Sequence, residues 1–155
     1  MLRWLLLSGV VVVLDQITKY AAVAALAGRP PVAVTDFFNL VLVYNRGAAF
    51  SFLAGAGGWQ REFFIVIAVA AALWIIYLLR RHAQQTLFCV ALALVLGGAI
   101  GNVIDRVLVG AVVDFLDFHA YGWHWPAFNV ADSAITCGAA LLIWDGLRGS
   151  RKENL

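Results

Sequence analysis

Four long apolar segments dominate the pattern of hydrophobic and polar positions along this chain. They cover residues 4–26, 63–79, 87–104 and 130–147. Each is close to the ~20 residues that an α-helix needs to cross the hydrocarbon of a bilayer, where a helix satisfies its own backbone hydrogen bonds. The pattern therefore predicts a mainly α membrane protein. We expect a four-helix bundle with long connecting segments at 27–62 and 105–129.

The first connecting segment has a pattern of its own. β-Branched residues are concentrated at Val32–Thr35 and Leu40–Tyr44, and turn-forming residues flank both runs. Such runs are typical of short strands. We therefore expect a small sheet, or cradle, at the membrane–water boundary. The segment 45–58 is glycine-rich near its end, and we expect it to close over a bound molecule. The second connecting segment is interpreted as a loop.

The composition agrees with a membrane protein. The chain of 155 residues is 63% hydrophobic and 13% charged, whereas a soluble domain carries about 25% charged residues. We expect one bundle spanning residues 1–155. The net charge of +2 includes no dense basic patch, so nothing suggests nucleic acid. The cysteines lack CxxC spacing and the histidines lack HExxH spacing, so neither a metal nor another cofactor is predicted.

Basic residues are concentrated on one side of the predicted bundle. The two tails and the tight loop between the second and third spans carry Arg3, Arg80, Arg81, Arg148, Arg151 and Lys152. Cytoplasmic loops of membrane proteins carry such an excess of Lys and Arg. The distribution predicts that both termini are cytoplasmic and that the two long segments lie on the outer side of the membrane.

Asp114 and Asp132 are the strongest candidates for chemistry. Both lie where an apolar stretch meets an outer, water-facing segment, and carboxylates at such depths are costly and usually functional. If the two carboxyls approach each other, they share one proton and activate a water without a metal or a protein nucleophile. Asp132 also has a purely structural explanation. With Asn129 as the N-cap of the fourth helix, it takes the third helical position, where the helix dipole favours a carboxylate.

Other polar residues keep two interpretations. Asp15 and Lys19, spaced i,i+4 on one helix face, are either a neutralised structural pair or residues that orient a substrate. Asn102 lies at the outer end of the third span. Beside it, Asp105 and Arg106 either stabilise loops as a pair, or Arg106 binds a lipid phosphate or a peptide carbonyl.

The turn after the second strand and the second connecting segment contain further candidates. Asn45 and Gly47 either form a turn or offer Asn45 as a donor to a substrate backbone. Asp117 is interpreted as a solvent-facing acid. His119 and His124 are expected to contribute hydrogen bonds within the loop.

A small proton-coupled carrier, or a subunit of a transport complex, is the alternative function. Its relay would consist of Asp15, Lys19, Asp105 and Arg106. Many transporters are built from duplicated halves with binding sites at the midplane. This chain has no internal repeat and its polar residues cluster outward, so the pattern favours chemistry at the membrane surface.

Five motifs resemble those of bacterial lipoprotein signal peptidases, the type II signal peptidases of the inner membrane. They are Asp15-Gln-Ile-Thr-Lys19, Asn45-Arg-Gly-Ala-Ala-Phe50, Gly101-Asn-Val-Ile-Asp-Arg106, Val113-Asp-Phe115 and Phe128-Asn-Val-Ala-Asp132. The motifs occur in the order found in that family and cover nearly the whole chain. The resemblance implies an aspartic endopeptidase that cleaves diacylglyceryl-modified prolipoproteins before the lipidated cysteine.

The resemblance also implies residue roles and partners. Asp114 and Asp132 would be the catalytic pair. The residues that bind substrate or support the site would be Asp15, Lys19, Asn45, Gly47, Asn102, Arg106 and Asn129. The expected partners are prolipoprotein substrates, membrane lipids and the cyclic peptide inhibitor globomycin, and we expect a monomer.

Overall fold

A computed structural model describes residues 1–47 and 59–153, with side chains described through Arg148. Four helices form the body of the molecule. They are α1 (Leu2–Leu26), α2 (Gln60–Arg81), α3 (Thr86–Leu108) and α4 (Val130–Glu153). All four are long and apolar enough to cross a membrane. The expected closing segment 45–58 and the end of the Asn45–Phe50 motif lie largely outside the described residues.

A small antiparallel sheet accompanies the helices. Its strands are β1 (Val32–Thr35), β2 (Phe38–Asn45), β3 (Val112–Ala120) and β4 (Trp123–His124), and they lie in the order β1-β2-β3-β4. The prediction of two strands in the first connecting segment is confirmed. The interpretation of residues 105–129 as a loop is wrong on two counts. It contains the nine-residue strand β3, and α3 continues to Leu108, so Asp105 and Arg106 are helical.

The sheet rests on the end of the bundle through a small apolar cluster. Phe115 of β3 is buried against Ala22 and Leu26 at the end of α1, and Val130 at the start of α4 packs against the same cluster. Successive side chains of a strand point to opposite faces. Since Phe115 faces α1, Asp114 before it points to the opposite face of the strand.

Helix α3 is the centre of the bundle. Half of its apolar window is buried (50%), against 11% for α2 and for α4. Two glycines allow the close approach of its neighbours. A Cβ at Gly98 would collide with the carbonyl oxygen of Ala131 in α4, and a Cβ at Gly101 would come within 2.5 Å of Asp15 Oδ2 in α1. Small residues therefore bring three helices together directly beside the polar residues.

The outward faces of the helices are apolar. Large hydrophobic side chains are exposed on α1, α2 and α4, among them Leu6, Ile17, Val66, Leu73 and Ile143. In water such continuous apolar surface would favour association, whereas lipid covers it at no cost. The molecule is therefore organised with polar groups inside and apolar groups outside over the length of its helices.

Candidate active site

The side chain of Asn129 links the two candidate aspartates. Its Nδ2 donates to Asp114 Oδ1 at 2.7 Å, and its Oδ1 accepts from the backbone N–H of Asp132 at 2.8 Å. The second contact confirms the prediction that Asn129 is the N-cap of α4. One fully buried amide therefore caps the helix that carries Asp132 and binds the carboxyl of Asp114.

Asn102 of α3 makes the corresponding contact with the carboxyl of Asp132. Its Nδ2 donates to Asp132 Oδ1 at 2.8 Å, while its Oδ1 accepts from Lys19 Nζ at 3.0 Å and from Asn129 Nδ2 at 3.3 Å. An ammonium group has only donors, so it requires the amide oxygen on its own side. Lys19 therefore fixes the orientation in which Asn102 donates to Asp132.

Asn45 holds the second oxygen of Asp114. Its Nδ2 donates to Asp114 Oδ2 at 3.2 Å, and its Oδ1 accepts from the backbone N–H of Gly47 at 2.9 Å. Asn45 is thus both a turn residue and a hydrogen-bond donor to Asp114, which confirms its interpretation as a turn residue. Its role as a donor to a substrate backbone stays a prediction. Both oxygens of Asp114 accept hydrogen bonds from amide groups.

The environment of Asp114 disfavours its charged form. Its side chain is 2% exposed. Burial, followed by the negative charge of Asp132, raises the pKa of Asp114 from 3.8 to about 7, although the hydrogen bonds from Asn45 and Asn129 oppose this rise. A carboxyl with a pKa near 7 exchanges its proton readily at neutral pH, which suits a general acid or base.

Asp15, Lys19 and Asp105 form a buried ionic group beneath the aspartates. Lys19 Nζ lies 2.8 Å from Asp15 Oδ2 and 2.9 Å from Asp105 Oδ2. The i,i+4 pair predicted from the sequence is therefore present, with a third member from α3. The interpretation in which Asp105 and Arg106 form a pair is wrong, since Asp105 forms its ion pair with Lys19. Adjacent residues on a helix do not face each other.

Arg106 binds the turn that follows β2. Its Nη2 donates to the carbonyl oxygen of Gly47 at 3.0 Å and its Nη1 to that of Asn102 at 3.3 Å. Its guanidinium lies 5.1 Å from the centre of the Phe64 ring. The charges of Asp132 and Asp114 also act on it. Every predicted site residue thus belongs to one continuous network around Asp114 and Asp132.

Gln16 is a member of this network that the sequence analysis missed. Its Nε2 donates to Asp105 Oδ1 at 2.9 Å and to Asp15 Oδ2 and the carbonyl oxygen of Gly101, each at 3.2 Å. The available signal was its position inside the Asp15–Lys19 motif. Helical spacing placed Gln16 off the face shared by Asp15 and Lys19, so periodicity alone did not select it.

A second polar cluster lies further along β3. Asp117 is 6% exposed and accepts from Asn39 Nδ2 at 2.9 Å, with His124 Nδ1 also 2.9 Å away. The interpretation of Asp117 as a solvent-facing acid is therefore wrong, whereas the hydrogen-bonding role of His124 is confirmed. Although Asp117 is buried, the hydrogen bonds from Asn39 and His124 hold its pKa below the ordinary value.

An apolar cavity of about 400 Å³ lies at the hairpin end of the sheet. Its lining is mostly aromatic and consists of Phe37, Phe118, His119, Ala120, Trp123, Trp125 and Phe128. Neither Asp114 nor Asp132 lines it. Hydrolytic chemistry needs titratable groups in reach of the substrate, so the carboxyl network, not this cavity, is the candidate active site.

Comparisons with known proteins match almost the whole chain to one family. The family model described as signal peptidase (SPase) II matches residues 7–148. A lipoprotein signal peptidase of Janthinobacterium sp. is 64% identical over 148 residues, covering 96% of this chain and 90% of that protein. A lipoprotein signal peptidase of Paraburkholderia phymatum is 63% identical and covers 96% and 89%.

Two solved structures share the fold. Both are titled as bacterial membrane enzymes determined by the in meso method, at 2.3 Å and at 1.9 Å resolution. The first has a TM-score of 0.86 and 35% identity, covering 97% of this chain and 90% of the other. The second has a TM-score of 0.82 and 34% identity, covering 95% and 94%. These likenesses favour a peptidase over the carrier alternative, and the chain belongs to the signal peptidase II family of multi-pass membrane enzymes.

Proposed function

We propose that this chain is an intramembrane aspartic endopeptidase that removes the signal peptide from diacylglyceryl-modified prolipoproteins. It hydrolyses the peptide bond that precedes the lipid-bearing cysteine. One observation carries the proposal. The carboxyl of buried Asp114 and that of partly buried Asp132 are joined through the amides of Asn129 and Asn102, in a chain that matches the signal peptidase II model over residues 7–148.

In this proposal Asp114 and Asp132 divide acid and base catalysis between them. The ionised carboxyl takes a proton from a water as the water oxygen attacks the scissile carbonyl carbon. The protonated carboxyl gives its proton to the carbonyl oxygen, which would otherwise carry the negative charge. When the tetrahedral intermediate collapses, the nitrogen of the cysteine receives a proton and the C–N bond breaks. A pair of coupled carboxyls holds the single proton that this cycle requires.

The surrounding residues keep the two carboxyls ready for this exchange. Asn45, Asn102 and Asn129 present only N–H groups to them, because the oxygen of each amide is engaged elsewhere. These preoriented donors need no rearrangement during the reaction. The hydrogen bond from Arg106 to Gly47 holds the turn that carries Asn45. If this turn moved, Asp114 would lose the hydrogen bond that Asn45 donates.

The proposed location is the inner membrane, with both termini in the cytoplasm and the catalytic pair near the periplasmic surface. The excess of Lys and Arg at the opposite end of the bundle supports this orientation. A lipidated substrate would enter sideways from the bilayer with its acyl chains remaining in lipid. The protein would act as a monomer among membrane lipids, and globomycin would compete for the substrate site.

Cleavage by the purified protein tests this function. The enzyme in lipid is given a prolipoprotein with and without its diacylglyceryl group, and the new N-terminus is identified by mass spectrometry. We expect cleavage before the lipidated cysteine only, and its loss in the presence of globomycin. Equal cleavage of the unlipidated precursor, or cleavage at another bond, would contradict the proposed substrate class.

A further inference from the structure

The buried ionic group described above also binds the backbone next to each of the two aspartates. Asp15 Oδ1 accepts from the N–H of Ala131 at 2.9 Å, and Ala131 directly precedes Asp132. Asp105 Oδ2 accepts from the N–H of Val113 at 3.0 Å, and Val113 directly precedes Asp114. Each carboxylate of the group thus binds the backbone N–H of the residue immediately before one of the two aspartates.

The two carboxylates that make these backbone contacts are linked to each other through two side chains. Lys19 Nζ contacts Asp15 Oδ2 and Asp105 Oδ2, at 2.8 and 2.9 Å. Gln16 Nε2 contacts Asp15 Oδ2 and Asp105 Oδ1, at 3.2 and 2.9 Å. Supporting contacts of this kind hold the groups of a site in a fixed geometry. The separation of the two carboxylates therefore influences the separation of the backbone groups that they bind.

Stability alone is a weak explanation for this arrangement. Asp15, Lys19 and Asp105 are 0%, 3% and 4% exposed. Removing such charges from water costs about as much free energy as their attraction returns, and apolar replacements are often as stable. What an apolar replacement would lack is the directed contact with the backbone N–H groups of Ala131 and Val113.

We propose that Gln16 and Asp105 are positioning residues which, together with Asp15 and Lys19, set the separation of the catalytic carboxyls of Asp114 and Asp132. The four residues form a brace across α1 and α3, and neither Gln16 nor Asp105 touches the reacting atoms. The inference rests on the catalytic roles proposed above for the two aspartates. It extends them by assigning the device that determines their spacing.

Gln16→Ala tests the brace without changing any charge. The charged groups around Gln16 are Asp15, Lys19 and Asp105, and all three remain in the variant. Asn39→Ala is the matched control. This substitution also removes an amide that donates to a buried carboxylate, that of Asp117. Asp117 lies on the same strand as Asp114, but neither Asn39 nor Asp117 belongs to the brace. Gln16→Met, which has similar length and no donor, replaces the alanine variant if that variant does not fold.

The measurement is the pH dependence of kcat/KM for the lipidated substrate, with activities normalised to folded enzyme. Loss of the Gln16 connection within the brace is expected to lower kcat by about 10–100-fold, the range for a misplacement of up to about 1 Å or the loss of a supporting contact. KM should change by no more than about twofold. The acidic and basic limbs of the profile should move closer together, because carboxyls that drift apart interact less strongly.

A purely structural role would give a different result. It would lower the amount of folded enzyme and leave kcat per folded molecule and both limbs unchanged, and this outcome in Gln16→Ala or Gln16→Met would overturn the proposal. Asn39→Ala should match the wild type in kcat and in both limbs. Cleavage by the wild type and loss of activity in Asp114→Asn test the proposed function separately. The proposed function would therefore be retained even if the results for Gln16 overturned the proposed brace.

Discussion

Asn129 shows how much one side chain contributes to this site. Its oxygen caps α4 and its nitrogen binds Asp114, so the two ends of one amide contact the helix and the candidate catalytic carboxyl separately. The sequence predicted the cap, because Asn is a preferred N-cap residue and Asp132 follows at the third helical position. The contact with Asp114 joins residues that lie 15 positions apart. No local pattern specifies such a contact.

Substitutions of Asn129 are expected to separate these two contributions. Serine also caps helices, so Asn129→Ser should be more stable than Asn129→Ala by roughly 1 kcal/mol. Neither serine nor alanine carries an amide that donates to Asp114, so both variants should lose about 10²-fold in kcat. Thermal unfolding in detergent and turnover of the lipidated substrate measure the two effects. Equal stability, or full activity in Asn129→Ser, would contradict this division.

The pKa of Asp114 leads to a prediction about pH and stability. Because its folded-state pKa is raised from 3.8 to about 7, the stabilising contribution of its neutral form is fully present below pH 3.8. That contribution is lost as the pH rises through about 7. As the pH rises from 3.8 to about 7, the wild type should therefore lose stability relative to Asp114→Asn. Melting temperatures of both proteins, measured across this interval, should diverge with rising pH. A constant difference would argue against the raised pKa.

At the scale of elements, local patterns predicted most of the fold. The four spans stand out by hydropathy, and β1 and β2 by their β-branched residues. Strand β3 did not stand out because it contains Asp114 and Asp117, and Asp is depleted in strands. Its partner β2 supplies the missing information, since Asn39 lies opposite Asp117 and donates to it. Pairing between distant segments thus overrides a weak local preference.

The packing of α3 gives a prediction at this scale. A Cβ at Gly98 would collide with the backbone of Ala131 in α4, whereas a Cβ at Gly9 in α1 would meet nothing within 4 Å. Gly98→Ala should therefore displace α4 with Asp132 and lower both stability and kcat. Gly9→Ala is the matched control, and it should be neutral or stabilising by up to about 1 kcal/mol, because alanine favours helix. If the two variants behave alike, close packing at Gly98 does not position the site.

At the scale of the whole molecule, the bundle separates two environments. Apolar side chains cover the outward faces of the helices, while the ionic and amide network is enclosed where α1, α3 and α4 meet the sheet. The sequence indicated the proposed catalytic pair because acids are rare in apolar segments. It did not reveal Gln16 or the pairing of Asp105 with Lys19. Those contacts join α1 to α3, which approach each other closely at Gly101, and the pattern of either helix alone does not specify them.

The central claim is that Asp114 and Asp132 act as one catalytic unit. Single-turnover cleavage of the lipidated prolipoprotein by Asp114→Asn, Asp132→Asn and the double variant tests this most directly. Since members of one unit are strongly non-additive, each single variant should lose on the order of 10³-fold or more, and the double variant should be no slower than the singles. A single variant that keeps more than about a tenth of the wild-type rate, or losses that multiply in the double variant, would contradict the claim.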